Sequence, residues 1–118
     1  MIWYKDFYAG ESIASKKKKV KWKIMHNVGQ LDIYVIALGS VEGNLLDIIP
    51  AWELMQKHYP KWDMVVVGVD KGYDNAMELA GKIVMDVYKE TGTFDVKEYF
   101  LEKHRENLRK EPVWKSSY

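Results

Sequence analysis

Asp32-Ile33-Tyr34-Val35-Ile36-Ala37-Leu38 and Asp63-Met64-Val65-Val66-Val67-Gly68-Val69 are two nearly unbroken apolar, β-branched runs. A strand with one wet face alternates apolar and polar residues. These runs do not, so each reads as a strand buried on both sides, the habit of a sheet covered by helices. The flanking segments carry helical spacing. Leu45, Ile48, Ile49, Trp52, Met55 and Tyr59 recur at three and four up to Pro60, which predicts a helix over 44–59. Pro50 falls inside that pattern, where it either kinks the helix or opens its regular part. Met77, Ala80, Ile83, Val84, Val87 and Tyr88 predict a helix over 74–91, with Asp74 as N-cap and Gly92 as the left-handed stop.

Strand, helix, strand, helix implies a parallel pair, 32–38 beside 63–69, joined by a right-handed crossover. The expected class is therefore α/β, a small βαβ unit resembling half of a Rossmann sheet, in two or three layers. Two further helices complete it. One spans 15–28, where Val20, Ile24 and Val28 repeat at four and Gly29 stands as C-cap; Val20, Trp22 and Ile24 also alternate with lysines, as a strand would. The other spans 95–110, with Asp95 and Glu98 at capping-box spacing. Two strands make a poor sheet, and three or more are usually needed. The missing strand comes from the aromatic stretch 2–9, from 20–24, or from a second copy of the chain.

The chain of 118 residues suits a single domain, 1–118, with residues 1–11 as an aromatic arm or edge strand and 112–118 as a tail that Trp114 anchors or leaves loose. It has no cysteine, which removes disulfides and thiolate chemistry and suits a reducing, cytoplasmic compartment. The start, Met1-Ile2-Trp3-Tyr4-Lys5-Asp6, has no basic stretch leading into an apolar run, so no signal peptide is expected. No apolar run approaches the ~20 residues a bilayer requires, and no membrane contact is expected. The net charge of +1 conceals polarity along the chain, because residues 1–31 hold seven lysines against only Asp6 and Glu11.

The stretch from Gly29 to Leu79, GQLDIYVIALGSVEGNLLDIIPAWELMQKHYPKWDMVVVGVDKGYDNAMEL, resembles a family of small bacterial proteins. The resemblance covers a little under half the chain. It implies a bacterial, cytosolic origin and brings no activity, cofactor or site residue with it.

Ligands of open α/β sheets bind beyond the carboxyl ends of the strands. If the two strands are parallel neighbours, the loops Gly39-Ser40-Val41-Glu42-Gly43-Asn44 and Gly68-Val69-Asp70-Lys71-Gly72-Tyr73-Asp74 lie side by side, each at a helix N-terminus that favours an anion. Gly39, Ser40, Gly43, Asn44, Asp70, Lys71 and Gly72 are thus the candidate ligand residues, for a phosphate or other small anion. The same residue types also serve any strand-to-helix turn. Neither loop matches a Walker or G-x-G-x-x-G pattern. Glu42, Asp47, Asp70 and Asp74 fall near the same edge, but capping and solvation explain them as well as a cation does. His26, His58 and His104 do not cluster, and Ser40 has no evident base. No catalytic residue, metal or cofactor is assigned, and the balance is against an enzyme.

Lys16 to Lys19, Lys21 and Lys23 surround Trp22. Contact with a nucleic-acid backbone is one reading; a solvated helix face balancing an acidic remainder is the simpler one, since the run lacks arginine and the overall charge is near neutral. The five tryptophans, with Tyr4, Phe7 and Tyr8, exceed what a small core readily hides. Trp3, Tyr4, Phe7, Tyr8 and Trp22 are accordingly the candidate interface residues. The expected role is a non-catalytic binding or assembly module that pairs with itself or with a protein partner. A small-molecule or nucleotide site at the strand ends is the alternative, and nucleic-acid contact through Lys16–Lys23 the third.

Overall fold

A computed structural model describes residues 1–111. The tail, with Trp114, lies outside the described residues. Both apolar runs are strands: β2, Ile33–Leu38, and β4, Val65–Lys71. The aromatic stretch forms β1, Ile2–Ala9, and a short strand, β3, spans Leu46–Pro50. They make one four-stranded sheet in the order β1-β4-β2-β3, so the two unbroken apolar runs are the two central strands. Each sends side chains to two separate cores. Val35, Ala37, Val66 and Val69 face one way, and Ile36, Leu38, Val65 and Val67 the other.

On the first face lie a 3-10 turn over Glu11–Lys16, helix α1 (Lys17–Met25) and the single turn α2 (Ala51–Leu54), contributing Ile13, Val20, Ile24 and Leu54. On the second lie α3 (Tyr73–Thr91) and α4 (Val96–Lys110), contributing Leu79, Ile83, Val87, Val96 and Phe100. The fold is an α/β domain of three layers. Gly68 lets α3 pack tightly on the sheet, since a methyl there would stand 3.3 Å from Ile83 and 3.4 Å from Ile36.

The direction of the central strands differs from expectation. β2 and β4 are antiparallel, with Ile33 opposite Lys71 and Val35 opposite Val69. The parallel neighbour of β4 is β1, with Ile2 opposite Val65 and Ala9 opposite Val69. The cause is β3. Residues 39–45 form a hairpin loop, not a strand-to-helix loop, and β3 returns antiparallel along β2 with Val35 opposite Ile49. The crossover therefore starts one strand later than expected, from β3 through α2 to β4, and spans β2.

The helix expected over 44–59 is thus a strand and one helical turn. A short apolar run such as Leu45–Ile49 fits either period. Pro50 decides it, because a proline inside a helix clashes with the preceding turn, whereas at the end of an edge strand it has no ladder bond to lose. Pro50 instead precedes α2, and the Lys61 ammonium donates to the Leu54 carbonyl at 2.7 Å where that turn ends.

Two capping assignments move, and two stay. Helix α1 stops at Met25, and Asn27 at φ 55°, not Gly29, takes the left-handed position after it. Gly72 precedes α3, and Asp74 lies within its first turn without capping it. Asp95 accepts from the Glu98 amide at 3.2 Å, as its spacing indicated, and Gly92 at φ 77° ends α3. The sheet is completed by residues 2–9 of the same chain, while 20–24 is helical.

Candidate functional site

The antiparallel pairing of β2 and β4 separates the two loops expected to form one site. Gly39, Ser40, Gly43 and Asn44 lie at one end of the sheet, and Asp70, Lys71 and Gly72 at the other. The first group belongs to the β2–β3 hairpin and opens no helix. Both the amide and the hydroxyl of Ser40 donate to Asp47 Oδ2 at 3.0 Å. A methyl at Gly39 would collide with the Asn44 carbonyl, and Gly43 takes φ 94°, so both glycines are accounted for by the turn itself. Gly39 and Ser40 border a recess of about 410 Å³ with Asp47, Tyr59, Asp63 and Lys97.

The second group adjoins a larger feature. Where parallel strands β1 and β4 end together, a cleft of about 990 Å³ opens between the 3-10 turn and α3. Tyr8, Ala9, Gly10, Glu11 and Ser12 form one wall; Asp70 lies at the end of β4; Asn75, Glu78, Leu79 and Lys82 on α3 form the other wall. Lys71 and Gly72 are not part of it. Lys71 is exposed, and the Gly72 amide donates to the Asp32 carbonyl at 2.8 Å, tying the turn to the start of β2.

Asp70 is the buried charged residue of the described chain, with 4% of its surface exposed. Its Oδ1 accepts the Lys71 amide at 2.7 Å, a bond supplied by its own neighbour. Among the described residues, no donor reaches Oδ2. Burial pushes the carboxyl above the usual aspartate range; the Lys71 amide opposes this, and the charge of Glu78 adds to it. Gly10 makes room for the group. A Cβ at this position would fall directly on the Asp70 carboxyl, so the carboxylate rests against bare backbone. The backbone of Gly10, at φ −62° and ψ 156°, is open to any residue; the demand for glycine is one of space alone.

Beside the cleft, the Tyr8 hydroxyl and the Lys82 ammonium both donate to Asp86 Oδ2, at 2.9 and 2.8 Å. The bond from Lys82, then that from Tyr8, holds the Asp86 carboxyl below its usual range. Burial, and then the bond to Asp86, raises the Tyr8 hydroxyl well above the ordinary tyrosine value. Lys82, which borders the cleft, is thereby paired with Asp86 one helical turn away.

The aromatic candidates for an interface are mostly turned inward. Phe7 is buried with Trp3 against it, ring centroids 5.1 Å apart, and Tyr4 meets the Phe100 ring edge-on at 4.9 Å. Trp22 remains outside, stacked on His26 at 4.2 Å. Part of the lysine run also serves the fold. Lys17 donates to the Phe7 carbonyl at 3.1 Å and lies over its ring, while Lys21 lies over Trp3. Lys16, Lys18 and Lys19 are exposed. Among the described residues, no three His, Asp or Glu side chains gather to hold a metal, and no helix is long and apolar enough to cross a membrane.

Sequence reasoning singled out Asp70 and missed its surroundings. Tyr8, Gly10, Glu11 and Ser12 come from the far end of the chain and meet it through a parallel pairing that no local pattern announces. A lone acid ending an otherwise apolar central strand was the available signal. No family model, curated protein or solved structure matches this chain.

Proposed function

We propose that this chain is a binding domain that takes a small polar molecule in the cleft at the carboxyl ends of β1 and β4, with Asp70 as the anchoring group. The observation that carries this reading is Asp70, a residue 4% exposed that borders the cleft, its carboxylate bonded by one neighbouring amide. A buried charge without adequate partners opposes folding, so such groups are generally paired or engaged in function. The position also agrees with the habit of α/β folds, whose ligands sit beyond the carboxyl ends of parallel strands. The volume lies at the upper end of the range for small-molecule sites. Among the described residues lining the cleft, nothing beside Asp70 forms a nucleophile–base pair, which favours binding over catalysis.

A thermal-shift screen of nucleotides, sugar phosphates, amines and coenzymes tests this. A ligand at a hundred times its Kd adds about 2.7 kcal/mol, or around ten degrees in a domain of this size. A hit that Asp70→Asn abolishes supports the reading, and a flat screen refutes it.

Self-association is a second reading. It is favoured by Trp22, Trp52 and Trp62, which are 54%, 58% and 80% exposed. Single apolar residues at the surface are ordinary, but three indoles invite burial. The open side of β3 is a poor route to a dimer, because a five-residue edge ending in Pro50 resists strand pairing. A Tm that climbs with protein concentration supports a dimer, and a constant Tm argues for a monomer.

A further inference from the structure

Three features of the cleft fix the charge of what it binds. The first is the balance of lining groups. Asp70, Glu11 and Glu78 border it, and the one basic side chain there, Lys82, is already paired with Asp86 at 2.8 Å. The field inside is negative, which repels phosphate and carboxylate ligands. The N-terminus of α3 offers little relief, because Asp74 occupies its first turn.

The second is the inventory of hydrogen-bonding groups. Asp70 Oδ2 has no donor from the described residues, and the carboxylates of Glu11 and Glu78 are acceptors only. One N–H of the Asn75 amide donates to the Lys71 carbonyl at 2.9 Å, leaving its second N–H and its oxygen. The cleft holds neutral donors in Ser12 and Asn75, but its charged groups are three carboxylates against one ammonium already paired. A ligand that is all donors, an ammonium or a guanidinium, complements it.

The third is the shape of the Asp70 seat. Gly10 leaves the carboxyl flush with the cleft wall, and Tyr8, Ala9, Ala14 and Leu79 supply apolar surface around it. That combination suits a charged nitrogen carried on a short aliphatic chain. A metal ion is a weaker fit, since no three ligating side chains converge among the described residues.

We infer that the cleft binds a small organic cation, a primary amine or guanidinium on an aliphatic chain, with its nitrogen paired to Asp70 Oδ2. The pairing supplies the buried carboxylate with the opposite charge it lacks. The inference rests on the small-molecule reading above and narrows it to one charge class, against the anion that the loop sequences suggested.

Three probes of matched length test it on the full chain by amide NMR: agmatine, 1,4-butanediol and adipate. Agmatine should shift the amides of Gly10, Glu11, Lys71 and Asn75 saturably, with affinity at least tenfold weaker in Asp70→Asn. Glu78→Gln, which removes a charge at the rim, should weaken it by a few-fold, and a native-like spectrum of either variant shows that folding is intact. Butanediol and adipate should leave these amides in place. If either binds there as tightly as agmatine, or if Asp70→Asn binds agmatine undiminished, the charge assignment is wrong while the small-molecule reading survives. If agmatine leaves the cleft amides unmoved but a screened nucleotide or sugar phosphate shifts them, the charge assignment fails alone. If no probe and no screened compound shifts them, both fail.

Discussion

Gly10→Ala sets a methyl group on the Asp70 carboxyl, and the consequence can be worked through in detail. The backbone of residue 10 is ordinary, so alanine brings no conformational strain. The nearest atoms to the new Cβ all belong to Asp70, which sits near the end of β4 with 4% exposure and cannot swing freely away. Overpacking of this kind costs about 1–3 kcal/mol. Removing the carboxyl as well should reverse the sign. In an Asp70→Ala background the methyl finds space, and the lower entropy of the unfolded chain stabilises by about 0.4–1 kcal/mol. The coupling between the two sites is then about 1.5–4 kcal/mol, far above the few tenths expected of independent positions. Urea denaturation of the wild type, both single variants and the double variant measures it. A neutral Gly10→Ala, or one equally harmful in both backgrounds, would refute the steric argument and with it the reason for a glycine here.

Asp70 should also govern part of the pH dependence. Burial raises its pKa above the ordinary 3.8, so the folded chain holds that proton more tightly than the unfolded chain. Stability from this group is therefore greatest below the unfolded value and is lost as pH rises through the raised folded one. The stability of Asp70→Asn relative to wild type should accordingly grow as pH rises above the ordinary 3.8, and a difference that stays level would show the carboxyl to be unperturbed. Phe100→Ala empties the core beneath α4 where the Tyr4 and Tyr99 rings meet it. It should destabilise by about 3–5 kcal/mol, lowering Tm by some 12–20 °C in calorimetry. Lys17→Ala loses a hydrogen bond to Phe7 and a ring contact, and should cost about 1 kcal/mol, whereas Lys19→Ala should stay within about 0.5. Each removes one charge, so equal costs would mean that the Phe7 contacts contribute nothing.

What the sequence disclosed follows a physical division. Strands β2 and β4 were legible because a strand buried on both faces has no polar alternation to confuse it. Helices α3 and α4 were legible because long periodic faces end in distinct caps, Gly92 and Asp95. Strand β3 was not, since Leu45–Ile49 is too short to distinguish the two periods, and only the cost of Pro50 inside a helix separates them. From that one strand the rest went astray. A hairpin over 39–45 reverses the chain, so β4 runs antiparallel to β2 and has its parallel neighbour in β1. The candidate site inherited the error. Asp70 was visible, but Gly10 and Tyr8 reach it only through the pairing of β1 with β4, and residues some sixty positions apart share no local signature.

That pairing has a consequence for synthesis. Strand β1 leaves the ribosome before its partner exists, because Ile2 pairs with Val65. At about 5–20 residues per second, translation needs roughly 3–13 s to cover that interval. Throughout it, Trp3, Tyr4 and Phe7 form a nascent aromatic strand with no sheet to join, the condition in which neighbouring chains on a polysome stick together. Lys5 within this segment and the lysines from 16 to 23 beyond it give every emerging chain the same positive charge. Charged residues flanking an unavoidable apolar strand act as gatekeepers against such contacts. Two of those lysines, Lys17 and Lys21, then fold over the rings of Phe7 and Trp3, so the side chains that guard the strand in transit also hold it once it docks.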